Sequence, residues 1–188
     1  MKKYELTEET KVIGGKTLFR IRALRSFGGI KAGDLGGFIE NERNLSHEGN
    51  AWVGDNAKVG GDAWVGGNAR VGGYARVNGD AQVVGDARVD GNAQVGGDAW
   101  VGGNARVGGD GLINSNNDYL CEQGLGSRNR SASFFKCKDG HIHVLCGCFS
   151  GNLDEFENKV KEEHGNSKYS KEYLGFIEVV KTHFEVRQ

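Results

Sequence analysis

Arg70, Arg88 and Arg106 stand eighteen residues apart in the chain, and Trp52 precedes the first of them by the same interval. A fold that stacked every eighteenth residue would bring the three guanidiniums to ~4.8 Å spacing, where neighbours repel by roughly 1 kcal/mol per pair in water and by more once desolvated. Such a column calls for an anion: a phosphate, a carboxylate, or an Asp of a neighbouring subunit. Without one it is a solvated face on which long side chains splay apart. The same interval relates Trp64, Gln82 and Trp100, with Asp62, Asp80 and Asp98 at the adjoining position, and it relates Lys58, Arg76, Gln94 and Leu112. Trp64 and Trp100 on an exposed wall mark a partner interface. The three carboxylates could hold a hard cation, but Asn and Asp interchange at that position, which assigns them to turn chemistry.

Two more clusters lie outside these intervals. Gly124-Leu125-Gly126-Ser127-Arg128-Asn129-Arg130 is a glycine-rich basic loop, in which Ser127, Arg128, Arg130 and the backbone amides could cradle an anion. Read without a ligand, it is an exposed connecting loop. Cys146-x-Cys148 with His141 and His143 nearby has the ingredients of a metal site. Odd and even positions of one strand point to opposite faces, however, and the closed four-ligand spacing of structural zinc is absent. Asp139-Gly140 predicts a two-residue hairpin between strands near 131–138 and 141–148. That pairing sets Cys137 opposite Ile142, Phe135 opposite Val144 and Ser133 opposite Cys146, with Cys148 on the same face. The thiols are therefore expected in a sheet core, with no metal.

The elements that must position these residues follow from a six-residue period running from Asn44 to about Ser115. Ala recurs from position 51 to 105 and Val from 53 to 107, with one variable residue between them. Ala and Val of each triplet therefore face one side of a short strand and the middle residue faces the other. Gly-Gly-Asn or Gly-Gly-Asp fills most gaps and makes the corners. Strands this short cannot pair as isolated hairpins; they must coil. Stacked coils bury Val on Val at about 1.5 to 3 kcal/mol each. The flanks must cover the open ends. Lys16 to Ala23, entered through Gly14-Gly15, predicts a capping hairpin, with Phe38 and Ile39 plugging the core. At the other end, Asn152 and Glu155 start a helix with Leu153, Phe156 and Val160 on one face, and Tyr173, Phe176, Ile177, Val180 and Phe184 form a second.

The chain of 188 residues carries 24 Lys plus Arg against 25 Asp plus Glu, so no global field recruits nucleic acid or a membrane. With 32 Gly and no Pro, backbone geometry dominates its composition. Four Cys in the last third and no leader-like or membrane-spanning apolar run point to a reducing cytoplasmic setting.

On these residues the repeat resembles the hexapeptide-repeat left-handed β-helix family, in which three hexads make one triangular coil. The resemblance implies the left hand. The best-known members are acyltransferases that use a His base at a subunit boundary, and some relatives are zinc carbonic anhydrases. Here the hexads are uninterrupted, and the only His among them, His47, falls at an inward position. Over nearly the whole chain, the segments KYELTEETK, AGDLGGFIENERNLSHEGNAWVGDNAKV, GLGSRNRSASFF and CGCFSGNLDEFE resemble a group of proteins encoded by phages and prophages of Gram-positive bacteria. That resemblance implies a phage accessory role, such as occupying a host defence protein or sequestering a nucleotide signal.

The resulting expectation is a mainly β chain: a capping hairpin over 1–43, a left-handed parallel β-helix over 44–115, and a β-hairpin plus two-helix module over 116–188. Its function is read as non-catalytic binding of a host protein or an anionic small ligand by a cytoplasmic homotrimer with no cofactor. Arg70, Arg88, Arg106, Trp52, Trp64, Trp100, Ser127, Arg128 and Arg130 are the candidate binding residues. The alternative is an acyl-CoA-dependent acyltransferase.

Overall fold

The computed structural model describes residues 2–186. It is a parallel β-solenoid of about four turns with an N-terminal hairpin and a C-terminal sheet carrying two helices. Strands β1 (Tyr4–Ile13), β2 (Lys16–Ala23) and β3 (Leu35–Ile39) precede the repeat. Eleven two-residue strands, β4 to β14, then begin at Trp52, Lys58, Trp64, Arg70, Arg76, Gln82, Arg88, Gln94, Trp100, Arg106 and Leu112. They stack into three walls, β3-β5-β8-β11-β14, β4-β7-β10-β13 and β6-β9-β12. Each Ala and Val of the triplets is at most 1% exposed, so the predicted inward face is the core.

Coils hold one another by main-chain hydrogen bonds. Arg70 N donates to Ala87 O and Gly72 N to Val89 O, both at 2.9 Å. The residue two positions before each repeat Ala adopts a positive φ, glycine at every such corner except that of Asp55, and a Cβ on Gly85, at φ +69°, would sit 3.0 Å from the nitrogen of Gly103 in the next coil. A side chain at that position would push successive coils apart.

Both flanks cover the solenoid as expected, but the near end departs from the expectation in the placement of Phe38. The β1–β2 hairpin turns at Gly14-Gly15 as predicted, but it continues one wall antiparallel to β3. Ile39 pairs with Val59 and enters the core, whereas Phe38 pairs with Lys58 in the outward row. Phe38 is buried on that outer side beneath the Lys11 ammonium and the Arg20 guanidinium, 4.1 and 4.9 Å from its ring centre. Strand alternation thus forbids both residues from plugging the core together. The open end is sealed by Tyr4, whose hydroxyl donates to Leu45 O at 2.8 Å, and by Lys3, whose ammonium donates to Ala51 O at 2.8 Å.

At the far end, β15 (Tyr119–Leu125), β16 (Arg130–Lys136), β17 (Ile142–Cys146) and β18 (Phe149–Asn152) form an antiparallel sheet in that order. One face presents Phe135 and Cys137 to the solenoid core, and Ser133 Oγ accepts from Arg106 N at 2.9 Å. The other face, with Ala132, Phe134, Val144 and Cys146, packs under α1 (Leu153–His164) and α2 (Lys168–His183). Asn152 and Glu155 form the predicted capping box, and Leu153, Phe156 and Val160 are the buried stripe of α1. No helix among the described residues is long and apolar enough to cross a membrane.

The β16–β17 register is one residue away from the expected one. Phe135 lies opposite His143, Phe134 opposite Val144 and Ala132 opposite Cys146. The turn spends three residues, because Cys137 N donates to His141 O at 2.9 Å and Gly140 takes φ +87°. A slip of one residue exchanges the faces of every side chain on the partner strand. Cys148 lies past the end of β17 and is exposed, so it does not share the core face.

If the Val columns hold the solenoid, Val89→Ala should lower the unfolding free energy by about 2 kcal/mol or more, whereas Val12→Ala, at a residue 70% exposed, should change it by less than about 0.5 kcal/mol. Urea denaturation of both variants measures the difference.

Candidate functional site

Ser127, Arg128 and Arg130 converge on one cleft of about 570 Å³. The β15–β16 turn sets them there: Asn129 N donates to Gly126 O at 3.3 Å, and Asn129 takes φ +46°. Opposite them stand Cys148 and Phe149 at the β17–β18 turn, Lys159 and His164 on α1, and Tyr173 on α2. Two backbone positions admit this closeness. A Cβ on Gly147 would collide with the Arg130 guanidinium, and one on Gly126 would collide with the Tyr173 ring.

Arg128, Arg130 and Lys159 line the cleft with one carboxylate, Glu163, and with the rings of Phe149, Phe156 and Tyr173. Among the described residues neither Arg128 nor Arg130 makes a salt bridge, while Lys159 is shared between Glu162 and Glu163, each at 3.3 Å. Tyr173 stacks on His164 with ring centres 5.6 Å apart, and its hydroxyl donates to Leu125 O at 3.4 Å. Burial, followed by the neighbouring Cys146, pushes the Tyr173 hydroxyl up to about 12. Burial also raises the Cys146 thiol. Sequence periodicity had assigned Phe156 and Tyr173 to the core. It offered no signal that Lys159 and His164 would face the basic loop, since that depends on how α1 crosses the sheet.

The arginine column forms as the eighteen-residue interval predicts. Arg88 pairs with Arg70 on one side and Arg106 on the other, and Trp52 pairs with Arg70. Its upper half is not free, however. Phe27 packs edge-on against Trp52 at 5.5 Å, leaving the indole 4% exposed, so Trp52 is a core residue and not a partner-facing one. Arg70 donates to Gly28 O, and burial together with Arg88 holds its guanidinium below the usual value. The segment 24–34 that covers both carries no repeat and so no register from which its path could be read. Arg88 and Arg106 remain exposed.

Trp64 and Trp100 share the third wall with Gln82 between them and are 40% and 57% exposed. Tyr74, at the corner between the other two walls, is 61% exposed and was not anticipated. Asp62 is bound to Arg43 at 2.9 Å, which gives one member of the Asp column a structural partner.

His47 does not take the inward position assigned to it. Leu45 bridges to Val65 and fills the core, because a capped 3-10 turn over Glu42–Asn44 advances the chain. His47 instead stacks on Tyr4 at 4.3 Å and accepts from Lys3 N at 3.2 Å through Nδ1. Donor atoms of Cys137, His141 and His143 lie within 4.8 Å of one another, a grouping the expected register had separated. Burial, with Asp139 and Asp110 nearby, raises the Cys137 thiol to about 11.

Comparison with protein-family models finds no match, and none is found among curated proteins.

Gly147→Ala should cost about 1 to 3 kcal/mol, since φ is +62° there and the methyl displaces Arg130. Gly175→Ala, inside α2 with open space around it, should stabilise by up to about 1 kcal/mol. Thermal denaturation of the two variants reads the opposite signs.

Proposed function

We propose that the chain is a non-catalytic binding protein whose C-terminal cleft takes an anionic, ring-bearing small ligand of nucleotide size. The observation that carries this reading is the pair Arg128 and Arg130, free of salt bridges among the described residues, in a roughly 570 Å³ cleft that they line with Phe149, Phe156 and Tyr173. Guanidiniums pair bidentately with phosphate, and aromatic faces accept a base or other flat ring. The solenoid serves as a rigid frame, and Trp64 and Trp100 are the faces by which copies associate into a trimer. A cleft of this chemistry suits a phage accessory protein that withdraws a nucleotide signal from a host defence, the role implied by the sequence resemblance. The acyltransferase alternative gains no support from His47, which is committed to Tyr4 and Lys3.

Thermal-shift and calorimetric titration of the full chain with cyclic nucleotides, linear nucleotides and acyl-CoA test the proposal. A nucleotide at about a hundred times its Kd should stabilise by about 2.7 kcal/mol. Arg128→Ala with Arg130→Ala should weaken binding at least about tenfold, each charge-assisted bond contributing about 1.5 to 3 kcal/mol. No response to any anion, or an unchanged affinity in the double variant, would overturn the reading. Acyl-CoA turnover abolished by His47→Ala would establish the enzyme instead. Sedimentation should give a trimer that Trp64→Glu with Trp100→Glu dissociates, and a monomeric native chain would remove the association claim.

A further inference from the structure

The solenoid-facing side of the C-terminal sheet carries three donor side chains that neither the cleft nor the columns use. Sγ of Cys137 and one ring nitrogen each of His141 and His143 lie within 4.8 Å of one another. All three belong to a single hairpin. The three-residue turn sets Cys137 beside His141, and Phe135 lies opposite His143 in the β16–β17 ladder. His141 and His143 are two positions apart, so strand alternation turns both to the side of Cys137.

We propose that Cys137, His141 and His143 form a binding site for a borderline transition-metal cation, Zn²⁺ in the first instance, with the fourth coordination position open. One thiolate and two imidazoles are donors that zinc takes in tetrahedral sites, and three protein ligands leave a place for water or an exogenous ligand. Bond lengths of about 2.3 Å to sulfur and 2.0–2.1 Å to nitrogen place tetrahedral donors ~3.4 Å apart. From donors within 4.8 Å of one another, that spacing asks for an approach of at most about 1.4 Å.

Four surroundings of the group fit a cation. Asp139 Oδ1 lies 2.5 Å from His141 Nδ1, which fixes the ring and leaves Nε2 free. Ser150 Oγ lies 2.9 Å from His143 Nε2, which leaves Nδ1 free. Partners of this kind orient metal-binding imidazoles and raise their basicity. Phe135, fully buried, packs 5.4 Å from His143 and gives the site an apolar floor that strengthens the electrostatics above it. An adjoining cleft of about 670 Å³, lined by His141, His143, Asp154 and Glu155, gives a hydrated cation an acidic route in.

The test uses the full chain, treated with chelator, kept reduced and titrated with Co²⁺. Binding through Cys137 predicts a thiolate-to-cobalt charge-transfer band that saturates at one equivalent and is bleached by Zn²⁺. Cys137→Ser should abolish the band, and Cys148→Ser should leave it intact. Asp139→Asn should weaken binding by about 10-fold or more through the loss of ring orientation. His141→Ala with His143→Ala decides the matter independently if Cys137→Ser fails to fold, as circular dichroism would reveal, because His141 is exposed and His143 half-buried. No charge-transfer band in the intact chain, a band that persists in folded Cys137→Ser, or native affinity in the double histidine variant would overturn the site.

Discussion

A strand of two residues cannot satisfy its own backbone, and in this protein the missing partners lie one coil away. Arg70 N reaches Ala87 O and Arg88 N reaches Ala105 O, both at 2.9 Å, and the pattern recurs along all three walls. Burial of Val over Val lies on the same axis, so hydrogen bonding and hydrophobic packing fix one stacking interval together. The outward residues inherit that interval without contributing to it. Arg70, Arg88 and Arg106 are neighbours because Val71, Val89 and Val107 are.

The same dependence makes the ends of the rod the demanding places. A terminal coil has donors and acceptors on one side with nothing to meet them. At the start, β3 supplies a strand in register with β5, and Tyr4 and Lys3 satisfy the carbonyls of Leu45 and Ala51. At the finish, the C-terminal sheet offers Ser133 to the amide of Arg106 and inserts Phe135 against the core. That sheet therefore has two apolar faces, one for the solenoid and one for the helices. The cleft with Arg128 and Arg130 opens beside the helix face, and Cys137 lies on the other with His141 and His143.

The walls could be read from the sequence because the six-residue period needs only counting and the resemblance to hexapeptide-repeat helices implies three hexads per coil; every row of outward residues from Trp52 to Leu112 occurs at the resulting interval of eighteen. What could not be read are contacts made by segments without a period. Phe27 and Gly28 cover Trp52 and Arg70 from a stretch whose path no repeat dictates. Near His47, a turn capped by Asn41 delivers Leu45 to the core in place of the histidine. In the hairpin, Asp139-Gly140 signals a turn correctly but does not say how many residues it spends. The third residue places Cys137 with two histidines instead of with Ile142. One residue of register thus separates an inert thiol from a grouping of three metal donors.

The stacking interval is the claim from which the rest descends, and it can be measured as a distance. With Cys148 replaced by Ser, nitroxide labels at Arg88→Cys and Arg106→Cys should show strong dipolar broadening in the electron paramagnetic resonance spectrum, because adjacent strands lie ~4.8 Å apart. Labels at Arg88→Cys and Gln94→Cys, only six positions apart but on different walls, should show markedly less. Broadening for the second pair that equals or exceeds the first would contradict the three-walled solenoid and with it the columns of outward arginines and tryptophans.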